Sequence, residues 1–312
     1  MHEQIARPLY YLGVHLLYAS LVWFAAWLLT GIPRGSATAK HWIWVATSLN
    51  FMLPLGALVD KLLAPHLTWA SPLPFIGGVG LRIAEDAGLA FALGAVWLLG
   101  AALMFTRLSL RLRAERRRGH RIGYRGGADK RPAFFVQGVP VRFARASQGP
   151  SMDGLVHPCI SLPSGIDRLL SEEELAAVLI HELKHAQRRD NLIRLVHEIG
   201  LCLLWFHPLV WITGVRLSLY RELSCDESVI RRARGRDLVS ALAKLANPEE
   251  PFLLQASVSS FLSLRLARLA TAPSPQCGLA ASALLAVTFS AVLMTGVFQT
   301  VAHTACCFLA KH

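Results

Sequence analysis

The chain has 312 residues, of which 54% are hydrophobic and only 17% charged, and its mean hydropathy is +0.42. A soluble domain of this size usually carries about a quarter charged residues, so the composition speaks against an ordinary soluble enzyme, a disordered chain and a collagen-like one. Lys+Arg 32 against Asp+Glu 20 gives a net charge of +12, which suits nucleic acid, a membrane surface or cytoplasmic membrane loops.

Spanning about 30 Å of hydrocarbon takes about 20 apolar residues, and four stretches approach that length. Leu9 to Ile32 comes first, with Tyr10, Tyr11, Trp23 and Trp27 as interface aromatics. It is too long for a signal-peptide core, and no small-residue cleavage site follows it. Trp42 to Val59 is shorter and interrupted by Asn50 and Pro54, whereas Ala87 to Phe105 and Gly278 to Ala302 carry no charge. Flanking cations set the orientation. Between Arg107 and Arg131 lie ten Lys/Arg against Glu115 and Asp129, so the third span is expected to end in the cytoplasm. The Pro33–His41 loop is then cytoplasmic, and the Asp60–Asp86 loop and the N-terminus lie outside. The basic block has one aromatic, Tyr124, and no zinc-finger or RNP pattern, so anionic lipid is its expected partner and direct nucleic-acid binding is not.

Residues 107–277 are then one cytoplasmic domain. Short apolar runs at Ala133–Gln137, Val139–Ala144 and His157–Leu162, set between Gly, Pro and Ser, predict a small β-sheet. Ser171 followed by Glu172, Glu173 and Glu174 predicts a helix start with a capping box, with Leu170 stapled on Leu175 and the helix running to about Arg188. Cys159, Cys202 and Cys225 fall within this domain, where thiols stay reduced; the six cysteines show no CxxC spacing and no disulfide framework.

The predicted helix contains His181-Glu182-Leu183-Lys184-His185, an HExxH pattern. Residues i and i+4 share one helix face, so the two imidazoles can bind one Zn²⁺, and Glu182 beside them can take the proton of a metal-bound water. A third ligand is expected from a second helix, where Glu222 and Asp226 stand at i and i+4. Glu222 can complete a His₂Glu set, and Asp226 can accept the free N–H of a ligand histidine. The alternative leaves Glu222, Asp226 and Glu227 as surface charges paired with Arg221, Arg231 and Arg232. The intervening Leu192–Val215 stretch is largely apolar, but Leu192–Phe206 is only about 22 Å long as a helix, too short to cross. With Pro208 marking a new helix start, a hairpin that returns Glu222 toward the HExxH helix is expected.

HPCISLP, SEEELAAVLIHELKHAQRRDNLIRL, WFHPLVW, RELSCDESV and LRLARL occur in that order ahead of the last span. In this pattern the chain resembles the BlaR/MecR-type integral-membrane zinc metallopeptidase family. The HExxH-plus-ExxxD arrangement is also similar to that of the CAAX-prenyl-protease and HtpX-like gluzincins. The resemblance implies His181, His185 and Glu222 as zinc ligands, Glu182 as general base, and cleavage of a cytoplasmic or membrane-proximal protein, a DNA-binding repressor being the linked target in antirepressor members. Those receptors carry a large extracellular penicillin-binding domain after the last span. Here a short tail follows Ala302 with no SxxK, so β-lactam sensing is not implied.

The expected fold is a membrane protein with four transmembrane helices and a cytoplasmic α+β zincin-like metallopeptidase domain. The expected function is a zinc endopeptidase in regulatory signalling, with an HtpX-like quality-control protease or a non-catalytic membrane sensor or scaffold as alternatives, and a second copy in a homodimer is among the partners considered. His157 reads as a surface histidine, His207 as a capping or interfacial residue, Arg221 as an ion-pair partner and Cys225 as a small buried residue. His15 and Asn50 read as interhelical contacts. Arg265 and Arg268 are expected along the inner membrane face.

Overall fold

The computed structural model describes residues 2–32, 35–53, 87–123, 133–144, 149–245 and 262–269. The chain opens with α1 (His2–Gly31) and α2 (Ala37–Met52), and then the 37-residue α3 (Ala87–Gly123). Four strands follow: β1 (Phe134–Val136), β2 (Val139–Ala144), β3 (Ser151–Asp153) and β4 (Cys159–Pro163). After the short α4 (Ile166–Leu169) come α5 (Glu172–Arg188), α6 (Asp190–Leu203), α7 (Pro208–Ile230) and α8 (Gly235–Leu245). Residues 262–269 form a last described helix, α9.

The sheet runs β1-β2-β4-β3. β1 and β2 form an antiparallel hairpin, β2 and β4 are parallel, and β3 closes the edge antiparallel to β4. Alternation makes β4 the core strand, since Ile160 and Leu162 are fully buried while Cys159, Ser161 and Pro163 are only partly so. The hairpin turn falls on Gln137 and Gly138, both with positive φ (47° and 81°), the conformation that two-residue hairpins need. Three strands answer to the predicted apolar runs. β3 was not anticipated, because Ser151-Met152-Asp153 lacks any strand signature.

Two cores meet along α7. Trp23 and Ala26 of α1, Ile43, Trp44 and Phe51 of α2, and Leu217, Tyr220 and Leu223 of α7 build an all-helical core. Val141, Ile160 and Leu162 of the sheet, Ala177, Val178 and Leu183 of α5, Val229 of α7, Leu238 and Ala241 of α8 and Leu269 of α9 build the second. Leu170 and Leu175 both join this second core. The expected capping box is complete: Ser171 Oγ accepts from Glu174 N–H and Glu174 Oε2 accepts from Ser171 N–H.

Among the described residues one helix is long and apolar enough to cross a membrane, Phe91–Glu115 within α3, and only 6% of its apolar window is buried. This is the third predicted span, carried further into the basic block as a single helix. The first predicted span contains a shorter apolar helix, His15–Gly31. The second begins earlier than its hydropathy indicates. α2 is helical from Ala37, and Lys40 and His41, assigned from sequence to a loop, are buried within it. The rest of that span (54–59), the 60–86 loop, the fourth span (278–302) and the tail lie outside the described residues.

Gly154, at φ +85°, joins β3 to β4, and a Cβ there would stand 2.3 Å from the His157 carbonyl oxygen. Gly154→Ala combines backbone strain with a steric clash, so a loss of about 1–3 kcal/mol is expected, read as a lowered thermal midpoint of the detergent-solubilised chain.

Candidate metal centre

α5 carries His181 and His185 one turn apart, both buried. Their Nε2 atoms lie 3.2 Å from each other. α6 and α7 form the predicted hairpin, with the break at Leu204–His207 and Pro208 in the first turn of α7. That return places Glu222 against the imidazoles, with Oε2 at 3.5 Å from His181 Nε2 and Oε1 at 3.9 Å from His185 Nε2. Donors held at about 2.0–2.1 Å on a small tetrahedral cation stand about 3.3 Å apart. The two imidazoles stand at the spacing such a cation needs, and Glu222 reaches each ring with a different oxygen at slightly longer distances. The Glu222 side chain is 20% exposed, against 7% for His181 and 10% for His185, so the cradle opens on the Glu222 side.

The outward nitrogens of both rings face carboxylates, which orients the inward nitrogens. His185 Nδ1 lies 2.6 Å from Asp190 Oδ2, and His181 Nδ1 lies 3.1 Å from Asp226 Oδ1. Asp226 is thus within ion-pair distance of His181, although Nδ1 is not aligned for a hydrogen bond among the described residues. Asp190 was not anticipated. It becomes available because Arg189, at φ 55° in the left-handed region, breaks the chain between α5 and α6, so the first residue of α6 turns back toward the preceding helix.

Two buried arginines hold these carboxylates. Arg188 donates to Asp190 through Nε (3.1 Å to Oδ1) and Nη2 (2.6 Å to Oδ2). Arg265 of α9 donates to Asp226 through Nε and Nη2, both at 2.8 Å, and its Nη1 lies 3.4 Å from Glu222 Oε2. This corrects the assignment of Arg265 to the inner membrane face. Its side chain is 12% exposed and completes the centre. Arg221 is an ion-pair partner as expected, with Nη2 at 3.0 Å from Glu222 Oε1. The reading of Glu222 and Asp226 as surface charges is set aside by the same distances. Glu227 does pair with Arg231 at 2.9 Å.

Burial alone would lower the His181 pKa, but Asp226, Glu222 and Glu182 outweigh it and hold the imidazole up at about 9. Burial would raise Glu222, yet His185, His181 and Arg221 keep its carboxyl well below the usual range. Asp226 is held down against burial by Arg265 and His181, and Asp190 by His185 and Arg188. The arrangement is a buried, carboxylate-rich cradle that favours the charged form of His181.

Cys225 offers a second donor beside His181 and His185. Its Sγ lies 3.5 Å from His185 Nδ1 and accepts from Arg188 Nη2 at 3.1 Å, on the outward side of the ring. Burial raises its thiol well above the ordinary value, which disfavours the thiolate that metal ligation needs. Glu222 is the better third donor. Glu182 is buried next to His181, and its charge helps hold that imidazole up. His157 is exposed, as expected. His207 precedes α7 without a side-chain cap, its Nε2 3.4 Å from Ser20 Oγ, and His15 Nε2 lies 3.1 Å from the Phe51 carbonyl oxygen.

Residues 11–269 match the model of the family described as BlaR1 peptidase M56. The chain belongs to that family. It is 26% identical to the Regulatory protein BlaR1 of Bacillus licheniformis over 249 residues, covering 73% of this chain and 39% of the relative. It is 22% identical over 98 residues to the Methicillin resistance mecR1 protein of Staphylococcus aureus, covering 31% of this chain and 17% of that one. The chain thus aligns with less than half the length of these relatives. The BlaR1 peptidase M56 match takes in most of α1, all of α2 and Arg265 as well as the HExxH helix, so every residue that builds the centre lies within it.

Two outcomes follow from this electrostatic arrangement. Arg265→Ala strands Asp226 as an uncompensated buried charge, and an unfolding loss of about 3–5 kcal/mol is expected by denaturant titration in detergent. His181, with its folded pKa raised, contributes stability fully below about pH 6.5 in the metal-free chain and loses that contribution as pH rises toward about 9. Thermal midpoints of the metal-free chain across this window should fall, with the His181→Asn variant showing a flatter profile.

Proposed function

We propose that the chain is a membrane-embedded zinc metalloendopeptidase that cleaves a cytoplasmic or membrane-proximal protein in regulatory signalling. The observation that carries this reading is the approach of His181 Nε2 and His185 Nε2 to 3.2 Å, with Glu222 Oε2 3.5 Å from the first and Glu222 Oε1 3.9 Å from the second, and with Glu182 buried next to His181 on the same helix. Membership of the BlaR1 peptidase M56 family and likeness to a relative named a regulatory protein support it.

In this reading His181, His185 and Glu222 hold one zinc ion. Zinc in such a set lowers the pKa of a bound water and polarises a substrate carbonyl. Glu182 acts as general base, taking the proton of the attacking water and passing it to the leaving amine. Asp226 and Asp190 keep the two rings turned inward. Arg265 and Arg188 keep those aspartates ionised. Exposure at Glu222 supplies the entry for the scissile peptide.

The packing of α3 supports the reading of a membrane-proximal substrate. Trp97 Nε1 donates to the Leu203 carbonyl at the hairpin tip, and Arg111 Nη1 lies 2.9 Å from Glu198 Oε1 further along α6. If α3 crosses the bilayer, the tip of the α6–α7 hairpin sits at hydrocarbon depth and the metal centre lies near the inner headgroups.

Purified full-length chain is expected to hold one zinc per molecule by elemental analysis. Glu182→Gln should keep that zinc while lowering cleavage by about 10²–10⁴-fold, read from the membrane and cytosolic protein fragments of cells carrying each form. Loss of zinc in this variant, or cleavage at the wild-type rate, would contradict the assignment of Glu182. A chain without stoichiometric zinc would contradict the whole reading.

Proton and cation compete for His181, whose imidazole is held at about 9. Apparent zinc affinity should therefore rise by about tenfold per pH unit from this group as pH increases toward 9 and then level off, measured by chelator competition.

A further inference from the structure

We propose that the first turn of α2 is a working part of the metal centre, with Thr38 as a positioning residue that fixes the His185 ring through Ser224, Arg188 and Asp190. The inference rests on the metallopeptidase reading above and extends it to a helix that carries none of the ligands.

The contacts form one continuous chain. Thr38 Oγ1 lies 3.0 Å from Glu227 Oε2 and 2.9 Å from Ser224 Oγ. Arg188 Nη1 donates to Ser224 Oγ at 2.5 Å. Through Nε and Nη2 the same guanidinium grips both oxygens of Asp190, and Asp190 Oδ2 meets His185 Nδ1 at 2.6 Å. Every donor role in the first links is fixed by chemistry. Arginine only donates and an ionised glutamate only accepts. The hydrogen bonds must therefore run from Arg188 to Ser224, from Ser224 to Thr38 and from Thr38 to Glu227. The Thr38 hydroxyl both accepts from Ser224 and donates to Glu227, which an aliphatic side chain at position 38 cannot do. Ser224 is fully buried, so solvent cannot replace that partner.

Helix geometry anchors the far end. The first N–H groups of a helix have no partner within it. In α2, Ser36 Oγ accepts from Ala39 N–H, while Thr38 N–H donates to Glu227 Oε2 at 3.0 Å. Glu227 thus places its negative charge on the positive end of α2, and its other oxygen is held by Arg231 at 2.9 Å. His41, one turn further along α2, is buried with its Nε2 4.0 Å from Asp190 Oδ1. The α2 terminus therefore packs against both ends of the Arg188–Asp190 pair.

Outer partners of a metal-bound histidine typically set metal affinity by about 10–100-fold. A shift of α2 that parts Thr38 from Ser224 would free one side of the Arg188 plane, loosen its grip on Asp190 and let the His185 ring swing. The seat of α2 then controls how tightly the centre holds its cation, so a displacement among the N-terminal helices can reach the centre without touching a ligand.

The test uses the full chain in detergent micelles or nanodiscs and measures zinc dissociation constants by chelator competition, with Co²⁺ absorption as a second readout of ligand geometry. Thr38→Val is expected to weaken zinc binding by about tenfold or more and to alter the Co²⁺ spectrum, whereas Thr38→Ser stays within about twofold of wild type. Ser224→Ala cuts the same chain at its next link and should give a similar loss, which also serves if Thr38→Val does not fold. The double variant should lose little beyond either single one, because both break one path. Ser48→Ala removes the 2.9 Å α2–α6 contact with His197 and should leave zinc affinity unchanged.

Zinc binding by wild type, Thr38→Val and Ser224→Ala at equal strength would overturn this inference while leaving the proposed centre intact. Equal losses in Thr38→Val and Ser48→Ala would overturn it too, by showing a general loosening of α2. Absence of zinc binding in wild type would instead sink the metallopeptidase reading on which it rests.

Discussion

The centre depends on a balance of buried charge. Glu182, Asp190, Glu222 and Asp226 bring four carboxylates into a space that Arg188, Arg221 and Arg265 only partly neutralise. Taking an isolated ion out of water costs several kcal/mol even after relaxation, and the penalty is offset only where partners are close and hydrogen-bonded. The arginines meet that condition for Asp190 and Asp226, each gripped through two nitrogens. What remains is a negative surplus focused between two imidazoles. That surplus favours the charged form of His181, whose pKa is raised to about 9, and suits the donor set of a cation site.

This balance explains why α7 is the organising element. One helix face must face the imidazoles while the rest of the helix is held on both sides. The earlier part of α7 packs Leu217, Tyr220 and Leu223 against α1 and α2, and Val229 packs with the sheet, α5 and α8. Glu222 and Asp226 fall between the two cores, one turn apart, on a stretch packed at both ends. Polar bonds reinforce the first core, with Trp23 Nε1 donating to Thr213 Oγ1 and Tyr220 OH to the Thr30 carbonyl. The N-terminal helices therefore seat the helix that carries the third donor.

The parts of the site that could be read in the sequence are those whose physics is local. The Ser171–Glu174 capping box, the i,i+4 pair of His181 and His185, the proline that restarts a helix at 208 and the i,i+4 pair of Glu222 and Asp226 each follow from a few neighbouring residues. Asp190 sits only five residues beyond His185, yet its role depends on the left-handed Arg189, which no residue type signals. Arg265 and Thr38 had no local signature at all. Arg265 lies in an amphipathic stretch that suits a membrane face equally well, and Thr38 lies ahead of the hydropathic segment that defined the second span. Both act on residues far away in sequence, and such pairings are set by tertiary packing. The same limit applies to α2, whose apolar run suits a lipid-facing span. In the fold, Thr47, Ser48 and Asn50 are buried in the helical bundle, and Ser48 reaches His197.

The packing of α3 bears on where chemistry can occur. Its apolar window is almost wholly exposed, whereas its charged continuation is tied to α6: Arg111 pairs with Glu198 and Glu115, and Arg194 pairs with the same two acids. Exposed pairs of this kind contribute little singly, but four charges in a network hold geometry better than any one pair. From Trp97, level with the hairpin tip, to Arg111 is about 21 Å along the helix. The apolar tip residues Phe206, Trp211, Ile212 and Val215 are exposed, as lipid contact requires and water does not favour. A bilayer that accepts Phe91–Glu115 therefore also accepts the tip, while the charged network marks the headgroup level. Asp190 starts α6 on the far side of that network from the hairpin tip, so the centre and the apolar tip lie at opposite ends of α6.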